Sequence, residues 1–493
     1  MYLLGYDIGS SSVKVALVDA QSGKVIATTQ QPKNEMEMIA HQSGWAEQNP
    51  EDWWTNLCIG TKEILAKTKI NPADIKSIGI AYQMHGLVLV DKEQNVLRPS
   101  IIWCDSRAVE IGNYAFDSIG QKTCLSHLLN SPGNFTASKL SWVKQNEPDL
   151  YERVDKIMLP GDYIAMKLTG EISTTISGLS EGVFWDFKNE SLSSHVMNHF
   201  GFEETLVPSI VETFSKQGSV TQTAAQETGL APGIPVSYRA GDQPNNALSL
   251  GVFETNEVAA TGGTSGVIYA VVDKAQYDDH SRVNGFAHVN HTKDNPRVGI
   301  LLCINGTGIQ YAWVRQNAAF KGLSYPQIET EASSIRVGSD GLCMLPFGNG
   351  AERVLGNKNI GAHIHNLEFN IHNRNHLYRA ALEGIAFSFY YGFKVLKEMG
   401  LNISSMKVGN DNLFQSQIFS DTVSTMLDTQ ISVIKTTGAI GAAQGSGVGA
   451  GIYSDLKEAV GNAPVVKKYE PNSSSEEYKV AYENWESALN LHL

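Results

Sequence analysis

A handful of short stretches in this 493-residue chain combine carboxylates, hydroxyls, an imidazole and glycines at spacings that suit chemistry. Asp7-Ile8-Gly9-Ser10-Ser11-Ser12, with Lys14 just beyond, is a turn of small residues. Such a turn can aim several N–H groups and hydroxyls at phosphate oxygens, while a carboxylate at a strand end can hold a hydrated magnesium ion. Gly262-Gly263-Thr264-Ser265-Gly266 is a second turn of the same kind, and two such loops facing each other can grip a polyphosphate from both sides. Gly241-Asp242-Gln243-Pro244 places a carboxylate where it can accept the proton of an attacking hydroxyl. Gln83-Met84-His85-Gly86 interrupts the apolar run 77–90. Polar groups in a buried strand need hydrogen-bond partners, and a polyhydroxylated ligand supplies them. Each stretch also has a plain explanation. Gly, Ser and Asp are ordinary turn residues, a single His is often a satisfied core residue, and Asp105 and Arg107 in Ile101-Ile102-Trp103-Cys104-Asp105-Ser106-Arg107 can simply pair to hold a loop. The paired turns and their place in the chain carry more weight than any one motif.

The elements that must position these residues read as alternating strands and helices. Residues 2–7 and 13–19 are strand-like runs around the first turn, and 257–261 and 266–273 repeat the arrangement around the second. Two similar openings about 255 residues apart indicate two related domains rather than a short-period solenoid, whose repeats come every 20–50 residues or so. A boundary is expected near 246–256. Asn49, Pro50, Glu51 and Asp52 form a helix start, with Trp54, Leu57, Ile64 and Leu65 as its inward stripe. A long helix is expected over about 376–399, ending at Gly400, followed by a strand over 406–409. The Gly/Ala-rich stretch 438–451 fits a helix held close either to another backbone or to a flat ligand.

Composition narrows the partners. With 42% hydrophobic and 18% charged residues the chain is globular, and its length exceeds what one core usually organises. A net charge of −13, from 38 Lys and Arg against 51 Asp and Glu, repels nucleic acid and anionic membranes over most of the surface. The cysteines Cys58, Cys104, Cys124, Cys303 and Cys343 have no paired spacing and read as buried thiols of a reducing compartment. No export signal or membrane-spanning run is visible, so a soluble, cytoplasmic protein is expected.

Taken in order, Asp7-x-Gly9, Gln-Met-His-Gly at 83–86, Ile-Trp-x-Asp at 102–105, Gly-Asp at 241–242 and Gly-Thr-Ser-Gly at 263–266 resemble the FGGY carbohydrate kinases over nearly the whole chain. The resemblance implies an α/β fold of two actin-like (ribonuclease H-like) ATPase domains, with the active site in the cleft between them. Residues 1–246 would bind sugar and supply the base, and 247–493 would bind nucleotide. It implies ATP as co-substrate, Mg2+ as the metal held through water by Asp7, and Asp242 as general base. Sugar contacts are expected from Met84, His85, Asp242 and Gln243. The Met-His-Gly element implies D-xylulose as acceptor, because glycerol-phosphorylating members carry an arginine-containing sequence there. Another ketose, a polyol or a sugar acid (L-ribulose, L-fuculose, glycerol, gluconate) stays open, as does a non-catalytic or ATPase-only protein of the same fold. ATP contacts are expected from Gly9, Ser10, Ser11, Gly263 and Thr264, and from Gly306 and Gln310 in a Gly-x-x-x-Gln segment. The family's Gly-Gly-Gly-Ala-like turn reads Lys407-Val408-Gly409-Asn410-Asp411-Asn412 here, so the adenine contacts expected at Gly409, Asn410 and Asn412 would come from a turn of different shape. The resemblance also favours a homodimer.

Overall fold

Tyr2–Ile8 (β1) and Val13–Asp19 (β2) are runs of apolar residues in which Leu3, Leu4, Tyr6, Ile8, Val13, Val15, Leu17 and Val18 are fully buried, so both faces of the hairpin are covered. In the computed structural model, which describes residues 1–410, 412–461 and 463–493 with the Asn412 side chain excepted, the two strands pair antiparallel, Asp7 opposite Lys14. The Gly9 N–H closes the turn onto the Ser12 carbonyl at 3.0 Å. Val25–Gln31 (β3) continues antiparallel on β2. Ile75–Tyr82 (β4) and Val236–Gly241 (β5) add in parallel on the other side, giving the order β5-β4-β1-β2-β3.

The second sheet follows a similar plan. Glu257–Gly262 (β6), Gly266–Val272 (β7), Asn284–Ala287 (β8), Val298–Ile304 (β9), Ser405–Gly409 (β10), Ile431–Ile434 (β11) and Val465–Tyr469 (β12) run in the order β8-β9-β7-β6-β10-β11-β12. Its segment β11-β10-β6-β7-β9 repeats the first sheet: two parallel neighbours on one side of an opening hairpin and an antiparallel strand on the other.

The helices anchor these sheets. Pro50–Thr68 (α1) is capped by the Asn49 side chain, which accepts the Glu51 N–H at 3.2 Å, and it buries Trp53, Trp54, Leu57 and Ile64 against the first sheet. Asp242–Ser249 (α2) leaves β5 directly, and Gly308–Asn317 (α3) follows the turn after β9. Arg374–Glu398 (α4) lies against the second sheet's side of the molecule and stops before Gly400, whose φ of 84° is open to glycine without steric cost.

The Gly/Ala-rich stretch is the helix Gly438–Gly449 (α5), and it crosses β1, β4 and β5 of the first sheet although its sequence belongs to the second half. A Cβ at Gly5 would sit 1.9 Å from the Ala439 carbonyl oxygen, and one at Gly79 would sit 1.9 Å from that of Ala442. Close backbone approach, not a flat ligand, explains this composition. A division at residue 246 therefore falls inside α2 and separates the two sheets but not all the helices that pack on them. Among the described residues no helix is long and apolar enough to cross a membrane. All five cysteines are free; Cys58, Cys124 and Cys343 are buried, while Cys104, on the loop after Trp103, is exposed, contrary to the sequence expectation.

Candidate active site

Parallel pairing brings three sequence motifs to one edge. Ile8 and Gly241 are both in register with Tyr82, so β1, β4 and β5 end level, and the residues that follow them emerge side by side. Ligands of open α/β sheets collect outside such carboxyl ends.

Asp242 opens α2 at this edge. Its carboxyl is pushed up to about 7, first by loss of hydration and then by the like charge of Asp7; hydrogen bonds from Gln243 and the charge of Lys14 offset part of the rise. Its surface is only half covered, but protein surrounds it beyond the contact shell, and that wider enclosure is what strips its water. A carboxylate poised this close to neutrality suits proton acceptance. The residue before it must be small: a Cβ at Gly241 would lie 2.6 Å from Glu181 Oε2 and 2.6 Å from Met84 Cγ.

Asp7 sits beside the start of α5, where a Cβ at Gly438 would come within 2.8 Å of its Oδ2, so the positive end of that helix faces a carboxylate. Lys14 Nζ reaches the same oxygen at 3.4 Å. Gln243, the second residue of α2, is half-buried beside Asp242.

Met84 is buried, and His85 takes a left-handed backbone with φ of 64°, a strain of the kind that clusters at ligand sites. His85 Nδ1 lies 2.9 Å from the Glu181 carbonyl oxygen. A carbonyl only accepts, so Nδ1 carries the proton and Nε2 presents a lone pair. Burial, with Lys139 nearby, pushes the imidazole down to about 3 and keeps it neutral. Its ring packs between Phe135, at 4.7 Å, and Phe286 of β8, at 5.5 Å, so the second sheet reaches the first half's motif.

Sequence reasoning missed two buried partners. Glu181 ends the short helix Ile176–Glu181 with neither carboxyl oxygen within good hydrogen-bond geometry of any described residue, and burial, opposed by the nearby Tyr82 hydroxyl and reinforced by the charge of Asp242, holds it well above the usual carboxylate range. Lys139 donates to the His85 carbonyl at 2.8 Å, and burial pushes its ammonium down to about 7. Neither lies in a motif; only an isolated charge inside an otherwise buried segment marks them. Trp103 presents an exposed ring whose Nε1 is 3.4 Å from Ser10 Oγ. Asp105 and Arg107 are a buried structural pair at 2.7 Å, with Arg107 also on Glu47 at 2.6 Å and over the Trp45 ring at 3.7 Å.

The second sheet's matching edge holds a cavity of about 650 Å³, lined among others by Gly263, Thr264, Gly308, Tyr325, Leu413 and Gln415. The Gly308 N–H donates to the Gly263 carbonyl at 3.0 Å, and a Cβ at Gly308 would meet that oxygen at 2.2 Å, so the α3 start is pressed onto the loop. Gly306 lies behind, where a Cβ would strike the Pro346 carbonyl at 1.5 Å and where its N–H is held by buried Glu352 at 3.1 Å. Gln310 is buried with both amide atoms unpaired, away from the cavity lining. Gly409 and Asn410 also fall outside that lining, and the Asn410 N–H instead extends the sheet to the Ile434 carbonyl. Asn412 begins the turn Asn412–Gln415, but its side chain lies outside the described residues, as does all of Asp411. In the first turn, Ser10 accepts the Gln48 Nε2 at 2.6 Å through its carbonyl, and the Ser11 carbonyl accepts the Met36 N–H at 2.8 Å. The hydroxyl of Ser11 is left exposed.

Comparison with known proteins bears on the family and the fold. The sequence profile of the FGGY family of carbohydrate kinases, N-terminal domain, matches residues 2–249. A xylulose kinase of Bacillus subtilis (strain 168) is 29% identical over 471 residues, 93% of this chain and 90% of the relative. A solved xylulose kinase from Rhodospirillum rubrum superposes with a TM-score of 0.89 at 24% identity, covering 100% of this chain and 99% of that one. Plasmodium falciparum glycerol kinase with ADP gives 0.89 at 20% identity, covering 100% and 98%. The common fold is the pair of actin-like ATPase domains.

Proposed function

We propose, from the premise that the chain belongs to the FGGY family of carbohydrate kinases, that it transfers the γ-phosphoryl group of ATP to the 5-hydroxyl of D-xylulose, giving D-xylulose 5-phosphate. ATP-dependent sugar phosphorylation is the activity of the family; the acceptor and the base are the reading argued here. The observation that carries it is Asp242, a carboxyl pushed up to about 7 at the level edge of β1, β4 and β5, beside Met84 and close to Asp7.

In this reading Asp242 takes the hydroxyl proton as the sugar oxygen forms its bond to the γ-phosphorus and the bond to the β-phosphate oxygen breaks in line, releasing ADP. His85 Nε2 and Gln243 are placed to hold sugar hydroxyls, with Met84 as the apolar wall. Gly263 and Thr264 grip the phosphates from the second domain; Gly9, Ser10 and Ser11 do so from the first. The base of the nucleotide has the lining from Tyr325 to Gln415 to rest on, while Gly306, Gln310, Gly409 and Asn410 shape that wall from outside it. Asp7 fits a hydrated Mg2+: its carboxylate adds to the charge cost at Asp242, which Gln243 and Lys14, the latter 3.4 Å from Asp7, only partly offset. Bound there, the ion would neutralise charge on the polyphosphate.

D-Xylulose is favoured by the Met84-His85 pair and by the full-length likeness to proteins named xylulose kinase. The fold alone does not discriminate, since glycerol kinase shares it equally well. The test is ADP release with Mg2+ and ATP against D-xylulose, L-ribulose, L-fuculose, glycerol and gluconate. Preference for D-xylulose is expected; comparable or better turnover of another sugar would remove the acceptor and keep the kinase.

A further inference from the structure

Outside the residues assigned to the site, three histidines from two chain segments meet. His363 and His365 stand two apart on the strand Gly361–His365, which pairs antiparallel with Cys343–Phe347, so both face the same way. His492 follows the C-terminal helix Ser475–Asn490. Each residue offers a ring nitrogen, and these nitrogens all lie within 4.8 Å of one another at half-exposed positions.

We propose that His363, His365 and His492 form a binding site for a borderline divalent transition-metal ion of the Zn2+ class. Tetrahedral zinc with nitrogen ligands at 2.0–2.1 Å sets neighbouring nitrogens about 3.3 Å apart. His492 Nε2 and His365 Nε2 are 3.2 Å apart and face each other. His363 Nε2 lies 2.7 Å from the Ile360 carbonyl oxygen, so that nitrogen carries the proton and Nδ1 is left with the lone pair. Ligating histidines commonly show this arrangement, with the second nitrogen tied to a carbonyl that fixes tautomer and orientation. His363 stacks on His492 with ring centroids 3.8 Å apart, so capture requires its ring to turn out of the stack toward the ion, with water completing the coordination.

Hydrogen bonds tie the supporting segments together. Trp485 Nε1 donates to the Met344 carbonyl at 3.0 Å, docking the C-terminal helix on the hairpin, and Lys358 bonds the Leu493 carbonyl. Three imidazoles and no carboxylate select zinc, cobalt, nickel or copper over the magnesium that accompanies ATP. The bound ion would clip the chain end to the hairpin whose loop carries Glu352, the residue that holds the N–H groups of Asn305 and Gly306 behind the nucleotide cavity. A second group, His127, Asp186 and His195, is less suited, because Asp186 already accepts N–H groups from Lys188 and Asn189 and pairs with His127.

The experiment is equilibrium dialysis of the full chain, stripped of metal, against Zn2+ in excess Mg2+, with Co2+ absorption in the visible as the readout of coordination. One saturable equivalent per chain is expected. His365→Gln and His492→Gln should each weaken it by about tenfold or more, with circular dichroism confirming that they fold. His127→Gln should leave it unchanged. Absence of saturable binding, binding indifferent to both substitutions, or loss through His127→Gln instead would overturn the proposal.

Discussion

The two sheets share a strand plan but not a chemistry. At the edge of the first, β1, β4 and β5 deliver Asp7, His85 and Asp242, and behind them lie Glu181 and Lys139, so charged and titratable groups crowd one small volume. At the edge of the second, β6 and its neighbours deliver Gly262, Gly263, Thr264 and the glycine that starts α3, and among the described residues of the cavity lining Glu329 is the one acidic side chain. A phosphate chain is the same in every cycle and can be held by backbone. An acceptor hydroxyl must lose a proton, and a carboxylate side chain can be positioned to take it. The two sheets share a strand frame, and the residues at their edges differ in chemistry.

The largest effect that could break this division is Asp242→Asn. The amide keeps the shape and cannot accept the proton, so kcat should fall by about 10²- to 10⁴-fold, the usual worth of general-base catalysis, while the KM for ATP stays near its original value. Steady-state kinetics in both substrates checks this; sugar-dependent turnover within a few-fold of the parent would remove the base from Asp242. The mirror experiment is Gly308→Ala. Its Cβ would press on the Gly263 carbonyl at 2.2 Å, and 1–3 kcal/mol of overpacking corresponds to about a 5- to 150-fold weaker ATP interaction. The KM for ATP should rise with the sugar KM little changed. Equal damage to both would mean that the edges are not separable.

Much of this was legible in the chain and some was not, for identifiable reasons. Both opening hairpins, α1 with its Asn49 cap, and α4 followed by β10 emerge within a few residues of expectation, because periodicity and caps are local signals. The destination of α5 was not legible as a choice: Gly and Ala permit close approach without naming the partner, and the partner proved to be Gly5 and Gly79, over 350 residues away. Glu181 and Lys139 carried no motif because their significance is purely spatial. Cys104 was expected to be buried by composition, yet a loop position overrode it. Asp7, Met84, His85 and Asp242 could be proposed from order in the chain, but only the register of three parallel strands brings them to one edge.

A pH profile sharpens the comparison further. Loss of hydration and the charge of Asp7 push the Asp242 carboxyl up to about 7, and the base proposed there must be deprotonated to accept a proton. kcat/KM for the sugar should therefore be level above about pH 8 and fall roughly tenfold per unit below about pH 6. With Asp242→Asn that acid limb should vanish, whereas Gly308→Ala should retain it. A profile flat to pH 5 would mean that bound cation or substrate holds Asp242 far lower than its surroundings do in the free chain.

The smallest effect is the most discriminating about the charge behind the site. Glu181 is enclosed, and burial raises it well above the ordinary carboxylate range despite the nearby Tyr82 hydroxyl, and this favours its neutral acid form. Glu181→Gln then replaces one neutral group with another of nearly the same shape. kcat/KM should stay within about threefold, and the acid limb assigned to Asp242 should move by less than about half a unit, since no charge is removed from its surroundings. Were Glu181 ionised in the working protein, its negative charge would contribute to the high value at Asp242, and the substitution would shift the limb downward by about a unit. Measuring the limb in the two proteins side by side separates these cases even if folding or sugar affinity changes slightly. A downward shift would assign to Glu181 a share of the electrostatics that the geometry gives to enclosure and Asp7.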